Sequence, residues 1–284
     1  MTFSQIGVIG SGIMGSGIAE VAATAGATVI LRSRSQATAD AMLAGLEKSL
    51  AKQVERGKKT QEDADAVRAR VTATSSLADL SNCDLIIESV VEDLAVKKAL
   101  FAELDGIAKP GAILATNTST LPVVEMAMVT SRPASVCGVH FFNPATAMSL
   151  VEIVRPLTAS DETIAAVTEF ATSCGKEPVT VKDQAGFIVN ALLFPYLNNA
   201  IRLLEQGVAT KEGIDTAMKG GCNFPMGPLA LLDLVGLDTS LAILNALYTE
   251  FADPNYAPVP LLKRMVAAGT LGRKTGSGFY DYRR

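Results

Sequence analysis

Residues 5–15 read Gln-Ile-Gly-Val-Ile-Gly-Ser-Gly-Ile-Met-Gly, and mostly small or apolar residues follow over 16–25. The first five suit a short buried strand and the later stretch a tightly packed helix. The glycines at 10, 12 and 15 therefore form G-x-G-x-x-G in the strand–turn–helix setting that gives the pattern meaning. Gly10 permits the tight turn, Gly12 lets backbone approach a pyrophosphate, and Gly15 lets the helix pack closely on the strand. Ile13 and Met14 lie within this candidate dinucleotide turn, beside helix N–H groups and a positive dipole end suited to phosphates.

Outward from this unit the chain keeps alternating. Residues 27–31 read as a second strand, 37–56 and 61–70 as a pair of charged helices, and 83–89 as another apolar strand. A helix near 95–108 and a strand at 112–115 follow. Residues 161–174 have the acidic start and 3.6-residue apolar spacing of a helix, and 179–181 reads as a last strand. This order predicts an α/β fold: a doubly wound, mostly parallel, Rossmann-like sheet with a helical-pair insertion. After Asp183 the texture changes. Stretches 187–204, 211–218, 229–234, 239–251 and 261–268 all read as helices, with turns at Gly220-Gly221 and over 225–228. The expected division is a dinucleotide-binding domain over 1–184 and an all-α domain over 185–284.

A chain of 284 residues is long enough for two domains with sizeable cores. Its net charge of -4 and 49% hydrophobic content give no basis for a nucleic-acid partner or for affinity to anionic membranes. Asn190, Asn198, Asn199 and Arg202 interrupt the longest apolar candidate for a membrane span. Cys83, Cys137, Cys174 and Cys222 are scattered without a C-x-x-C pair, which points away from a metal site and toward small core residues in a reducing compartment. Residues 1–5 lack the basic start of a secretory signal, so the expected location is the cytoplasm.

The chain has one histidine, His140, in Gly-Val-His-Phe-Phe-Asn-Pro, and Glu152 lies twelve residues on in Leu-Val-Glu-Ile-Val. The apolar run 135–139 reads as a strand delivering His140 to its end, and a second such run carries Glu152. If the two strands pair, imidazole and carboxylate meet at one edge of a sheet. There the carboxylate can hold a ring N–H and stabilise the imidazolium, which makes a general acid/base unit. Taken alone, His140 also reads as a core or surface histidine satisfied by backbone.

Seven stretches, in order along the chain, carry a resemblance. They are Gly-Ser-Gly-Ile-Met-Gly at 10–15, Ile-Glu-Ser-Val-Val-Glu-Asp at 87–93, Thr-Asn-Thr-Ser at 116–119, His-Phe-Phe-Asn-Pro at 140–144, Gly-Phe-Ile-Val-Asn at 186–190, Pro-Met-Gly-Pro-Leu at 225–229 and Gly-Arg-Lys-Thr-Gly-Ser-Gly-Phe-Tyr at 272–280. Together they resemble the L-3-hydroxyacyl-CoA dehydrogenases. The resemblance implies reversible oxidation of an (S)-3-hydroxyacyl-CoA to the 3-ketoacyl-CoA, with 3-hydroxybutyryl-CoA and acetoacetyl-CoA as the expected pair. His140 would be the base and Glu152 its support. Ser119 and Asn190 would hydrogen-bond substrate oxygens and the base, although by themselves they read equally as a helix cap and a helix-surface amide. Glu92, Lys97 and Asn117 would contact the dinucleotide, and Asn143 would face the nicotinamide.

Ser49, Lys52 and Arg56 fall on one helical face, which by the resemblance receives the CoA adenosine and its phosphate; spacing alone fits a solvated face as well. The family's acid at the end of the second strand falls here on Ser33, within Leu-Arg-Ser-Arg-Ser. Losing that carboxylate and gaining Arg34 favours a 2′-phosphate, so NADP is expected ahead of NAD. The resemblance further implies that the helical domain binds substrate and forms a homodimer. Two other readings stand beside this one: a free hydroxyacid dehydrogenase of the gulonate or carnitine type, and a non-catalytic dinucleotide-binding structural or sensor protein.

Overall fold

Near-continuous apolar runs become strands buried on both faces when helices cover the two sides of a sheet. The structure, a computed structural model describing residues 3–283, has such a sheet. Its strands are β1 (Gln5–Ile9), β2 (Thr28–Arg32), β3 (Val71–Thr74), β4 (Leu85–Glu88), β5 (Ile113–Thr116), β6 (Val136–Phe141), β7 (Leu150–Arg155) and β8 (Glu177–Lys182). They form one eight-stranded sheet in the order β3-β2-β1-β4-β5-β6-β7-β8. All neighbours run parallel except β6 and β7, which are antiparallel.

The helices of this part are α1 (Ile13–Thr24), α2 (Gln36–Glu55), α3 (Gln61–Ala69), α4 (Leu94–Ile107), α5 (Val123–Ala127) and α6 (Asp161–Ser173). α1 begins inside the glycine motif rather than after it. α2 and α3 each open on a reciprocal cap, Ser35 with Thr38 and Thr60 with Asp63, which stops one charged helix from running into the next. Strand parity divides the sheet's residues between two faces. Ile6, Val8, Leu31, Ile87, Ala115, Val139 and Ile153 join the core formed with α1, α2, α3 and α6. Glu88, Thr116, Gly138, His140 and Glu152 alternate with these and point to the opposite face. There Lys97 of α4 reaches Glu88, and Val123 of α5 lies where a Cβ on Gly138 would meet it at 3.4 Å.

Two elements escape the sequence pattern. β3 is a marginal strand with a single fully buried residue, Val71, so it carries too little alternation to read. α5 has five residues and no local cap; the Asp183 carboxylate instead accepts its first N–H groups, from Val123 at 2.9 Å and Val124 at 2.7 Å. The position of the His140 pair also differs from expectation. β6 and β7 are interior strands with β8 outside them, because β8 pairs along all of β7.

A second compact unit begins at Gln184. It contains α7 (Val189–Glu205), α8 (Lys211–Cys222), α9 (Pro228–Val235), α10 (Leu237–Phe251) and α11 (Pro260–Ala267) around a core that includes Phe194, Leu197, Leu232, Leu244 and Leu262. The turn expected at Gly220-Gly221 is absent, since α8 continues through both glycines and stops at Asn223 in the left-handed conformation that asparagine tolerates. The glycines of 272–280 serve the fold: a Cβ on Gly278 would lie 1.9 Å from Asp233 Oδ1, and one on Gly272 2.4 Å from the Asp233 carbonyl. The buried Asp233 carboxylate accepts the N–H groups of Phe279 and Tyr280, both at 2.9 Å, and the Tyr282 hydroxyl at 3.1 Å. Asp215 likewise accepts from Leu229 N, Ala230 N and the Tyr280 hydroxyl.

Burial pushes the thiols of Cys83, Cys137 and Cys174 up to about 12. Cys222 departs from the expected core placement: it is exposed, at the end of a helix that buries only Ile214 and Asp215. Among the described residues no single helix is long and apolar enough to cross a membrane.

Candidate active site

The strand order reverses between β1 and β4, the switch point where open α/β sheets bind ligands beyond their strand ends. Gly10 turns there with φ +139°, and a Cβ on it would lie 2.1 Å from the Ser89 carbonyl at the end of β4. A Cβ on Gly15 would lie 2.4 Å from the Gly10 carbonyl. Gly12 has nothing within 4 Å of a built Cβ, so the turn is closed on two glycines and open on the third. Gly12 is also the N-cap of α1 and supplies no side-chain cap, which leaves the first-turn N–H groups facing that opening. Ile13 beside it is 78% exposed, and Met14 leans on the core. Open backbone and an uncapped helix start are what a pyrophosphate needs, so these residues fit a dinucleotide.

Just past β2, Ser33 is buried; its N–H donates to Thr74 O at 3.0 Å and its hydroxyl shares a hydrogen bond of 2.5 Å with Thr38 Oγ1. Arg34 is exposed and makes no hydrogen bond or salt bridge with another described residue. Arg32 is half-buried and donates Nε to Ser75 O; burial lowers its pKa, with Arg34 adding to the effect.

Beyond β4 and β5 lies a charged network that the sequence reading only partly anticipates. Lys97 and Glu88, both essentially unexposed, pair at 2.6 Å. Glu88 Oε2 accepts from Thr116 Oγ1 at 2.8 Å, and its other oxygen accepts the Val90 N–H. Burial raises the Glu88 carboxyl pKa, with Lys97 acting against it. Lys97 also lies 3.4 Å from Glu92 Oε2, and Glu92 Oε1 accepts from Thr118 Oγ1 at 2.6 Å and Ser119 N at 3.0 Å. Lys97 is thus turned into the protein, while Glu92 is exposed and Ser119 half-buried at the outer end of the network. A carboxylate at the end of a wholly buried strand is the signal that could have found Glu88, because a charge there requires a partner.

His140 and Glu152 are direct partners in the antiparallel ladder. His140 Nδ1 and Glu152 Oε2 are 2.8 Å apart, with both side chains buried. An ionised carboxylate only accepts, so in this contact the ring proton sits on Nδ1. The Phe142 ring lies 4.5 Å from the imidazole, centroid to centroid. Asn117 Oδ1 accepts the Phe141 N–H at 2.8 Å, bracing the end of β6 from β5. Asn143 is exposed in the loop that follows, and Lys176 Nζ holds that loop by donating to Ala145 O and Met148 O, each at 2.7 Å. Asn190 is buried in the first turn of α7, in the second unit.

A groove of about 520 Å³ runs between α1 and α2 from Gly12 and Ile13 past Thr38 to Ser49. Gln53 Nε2 bridges Ser49 Oγ at 3.3 Å and the buried Glu20 at 2.5 Å on its wall. Lys52 and Arg56 lie outside it, exposed at the C-terminal end of α2, where positive charge also favours the helix dipole.

The sequence matches the family 3-hydroxyacyl-CoA dehydrogenase, NAD binding domain, over residues 5–184, and 3-hydroxyacyl-CoA dehydrogenase, C-terminal domain, over residues 186–282. This chain belongs to the 3-hydroxyacyl-CoA dehydrogenase family. The dehydrogenase is 49% identical over 278 residues to a 3-hydroxybutyryl-CoA dehydrogenase of Clostridioides difficile, covering 98% of this chain and 99% of that one. It is 42% identical to the mitochondrial hydroxyacyl-coenzyme A dehydrogenase of Homo sapiens, covering 98% of this chain and 91% of the other. The crystal structure of an (S)-3-hydroxybutyryl-CoA dehydrogenase from Ralstonia eutropha superposes with a TM-score of 0.96 at 44% identity, covering 99% of this chain and 100% of that one. The dehydrogenase is therefore an oxidoreductase whose first domain is of the NAD-binding kind.

Proposed function

We propose that this dehydrogenase interconverts 3-hydroxybutyryl-CoA and acetoacetyl-CoA, with His140 and Glu152 as its acid/base pair. The observation that carries the reading is the buried 2.8 Å contact between His140 Nδ1 and Glu152 Oε2, which readies an imidazole for proton exchange at Nε2. A bound nicotinamide would supply the hydride acceptor in oxidation and the donor in reduction. His140 takes the C3 hydroxyl proton as hydride leaves C3, and returns a proton to the oxygen in the reverse direction. Glu152 stabilises the imidazolium between these events. Ser119 and Asn190 orient the substrate oxygens. Glu92 meets the dinucleotide with Lys97 held behind it, Asn117 supports the strand end, and Asn143 lies toward the nicotinamide. Ser49 is read as part of the wall of a CoA groove, with Lys52 and Arg56 as the phosphate contacts beyond it. The unpaired thiols fit a reducing cytoplasm.

The same reading assigns NADP ahead of NAD. Its support is the unengaged, exposed Arg34 in a turn that has no carboxylate, although the Ser33 hydroxyl is already taken up by Thr38. A steady-state panel of acetoacetyl-CoA and longer 3-ketoacyl-CoAs with NADH and NADPH, and of free 3-hydroxyacids with the oxidised cofactors, tests both points. The expected outcome is turnover of acetoacetyl-CoA with kcat/KM at least about tenfold higher for NADPH, equivalent to about 1.4 kcal/mol. Replacing Ser33 by Asp and Arg34 by Gln should reverse the preference, mainly through KM. A preference for NADH in the unmodified enzyme refutes the NADP reading alone. Turnover of a free hydroxyacid in place of the CoA ester refutes the substrate.

A further inference from the structure

We infer that Glu88 is a positioning residue for the reaction, holding the Ser119 hydroxyl in place through Lys97 and Glu92. The inference rests on the proposed contact between Ser119 and substrate. A buried ion pair is weak evidence for stability, since apolar replacements of both partners are often neutral or stabilising. Here the pair closes a ring. Lys97 Nζ donates to Glu88 Oε1 at 2.6 Å and to Val90 O at 3.3 Å, and lies 3.4 Å from Glu92 Oε2. The other Glu92 oxygen gathers Thr118 Oγ1, Ser119 N and, at 3.3 Å, Ser119 Oγ. From the opposite side, Thr116 Oγ1 donates to Glu88 Oε2 and accepts the Thr118 N–H at 3.1 Å.

The turn that presents Ser119 is therefore gripped twice, and both grips end on the one Glu88 carboxylate. Neutralising Glu88 leaves the Lys97 ammonium buried without its principal counter-charge. It must then lean on Glu92, and Glu92 is what fixes Ser119. Glu88→Gln acts at a distance from substrate but should be read out at Ser119.

A double-mutant cycle on kcat tests this. Glu88→Gln should lower kcat about tenfold when Ser119 is present and less than about twofold in a Ser119→Ala background, while Glu88→Asp recovers part of the loss. Equal losses in the two backgrounds overturn the proposal, because a general packing defect is additive. A Ser119→Ala enzyme with unchanged kcat and KM overturns it together with the proposed role of Ser119, so the two failures are told apart. If Glu88→Gln does not fold, Glu88→Asp takes its place in the cycle: it keeps the charge and every other partner of the turn, shortens only the reach to Lys97 and Thr116, and is judged by the same two outcomes.

Discussion

Cross-strand partners in an antiparallel ladder hold their Cβ atoms about 4.5–5.5 Å apart, so a histidine and a glutamate at such positions need no loop to bring them together. That is the situation of His140 and Glu152, and it makes the pair mechanically stiff. His140→Ala should lower kcat by about 10² to 10⁴-fold with dinucleotide affinity near wild type, measured by steady-state kinetics and fluorescence titration. Near-full activity in the folded variant removes His140 from the mechanism. Glu152→Gln should cost less in kcat, because an amide oxygen can still accept from Nδ1 while the counter-charge is lost. At this scale the chain reads well where a residue type is unique: one histidine between apolar runs, with an acid in the next. It reads poorly where several carboxylates compete. Glu88, Glu92 and Asp93 sit within six positions, and only strand parity together with the reach of Lys97 decides which one turns inward.

Among the elements, α2 offers the sharpest test. Its groove wall holds Ser49, while Lys52 and Arg56 stand free of the wall in solvent. Lys52→Ala combined with Arg56→Ala should raise KM for acetoacetyl-CoA and weaken its salt dependence, yet leave a substrate cut back to the pantetheine arm almost unaffected. Equal losses with both substrates mean a damaged helix, with no CoA contact there. The glycine turn, the strands around it and the long helices are legible in sequence because periodicity and caps are local. β3 and α5 are not. The first depends on β2 for its pairing, and the second depends on Asp183 to hold its N-terminus, sixty residues along the chain.

For the whole molecule, the second unit leaves apolar side chains outward, with Leu192 72% exposed and Val208, Leu234 and Phe224 also uncovered. Exposed apolar side chains of this size favour a self-complementary two-fold contact. Light scattering at micromolar concentration should give twice the mass of one chain, and a monomer mass at that concentration refutes the homodimer. The segment tied to Asp233 bears on how the polypeptide is made. The first unit has its last strand by Lys182, so it can close while translation continues. The second cannot satisfy its two buried aspartates until residues 279–282 have emerged, which at about 5–20 residues per second is several seconds later. During that interval the first unit can be complete while the helical one behind it is not, so the half that stays open longest on the ribosome is the helical half.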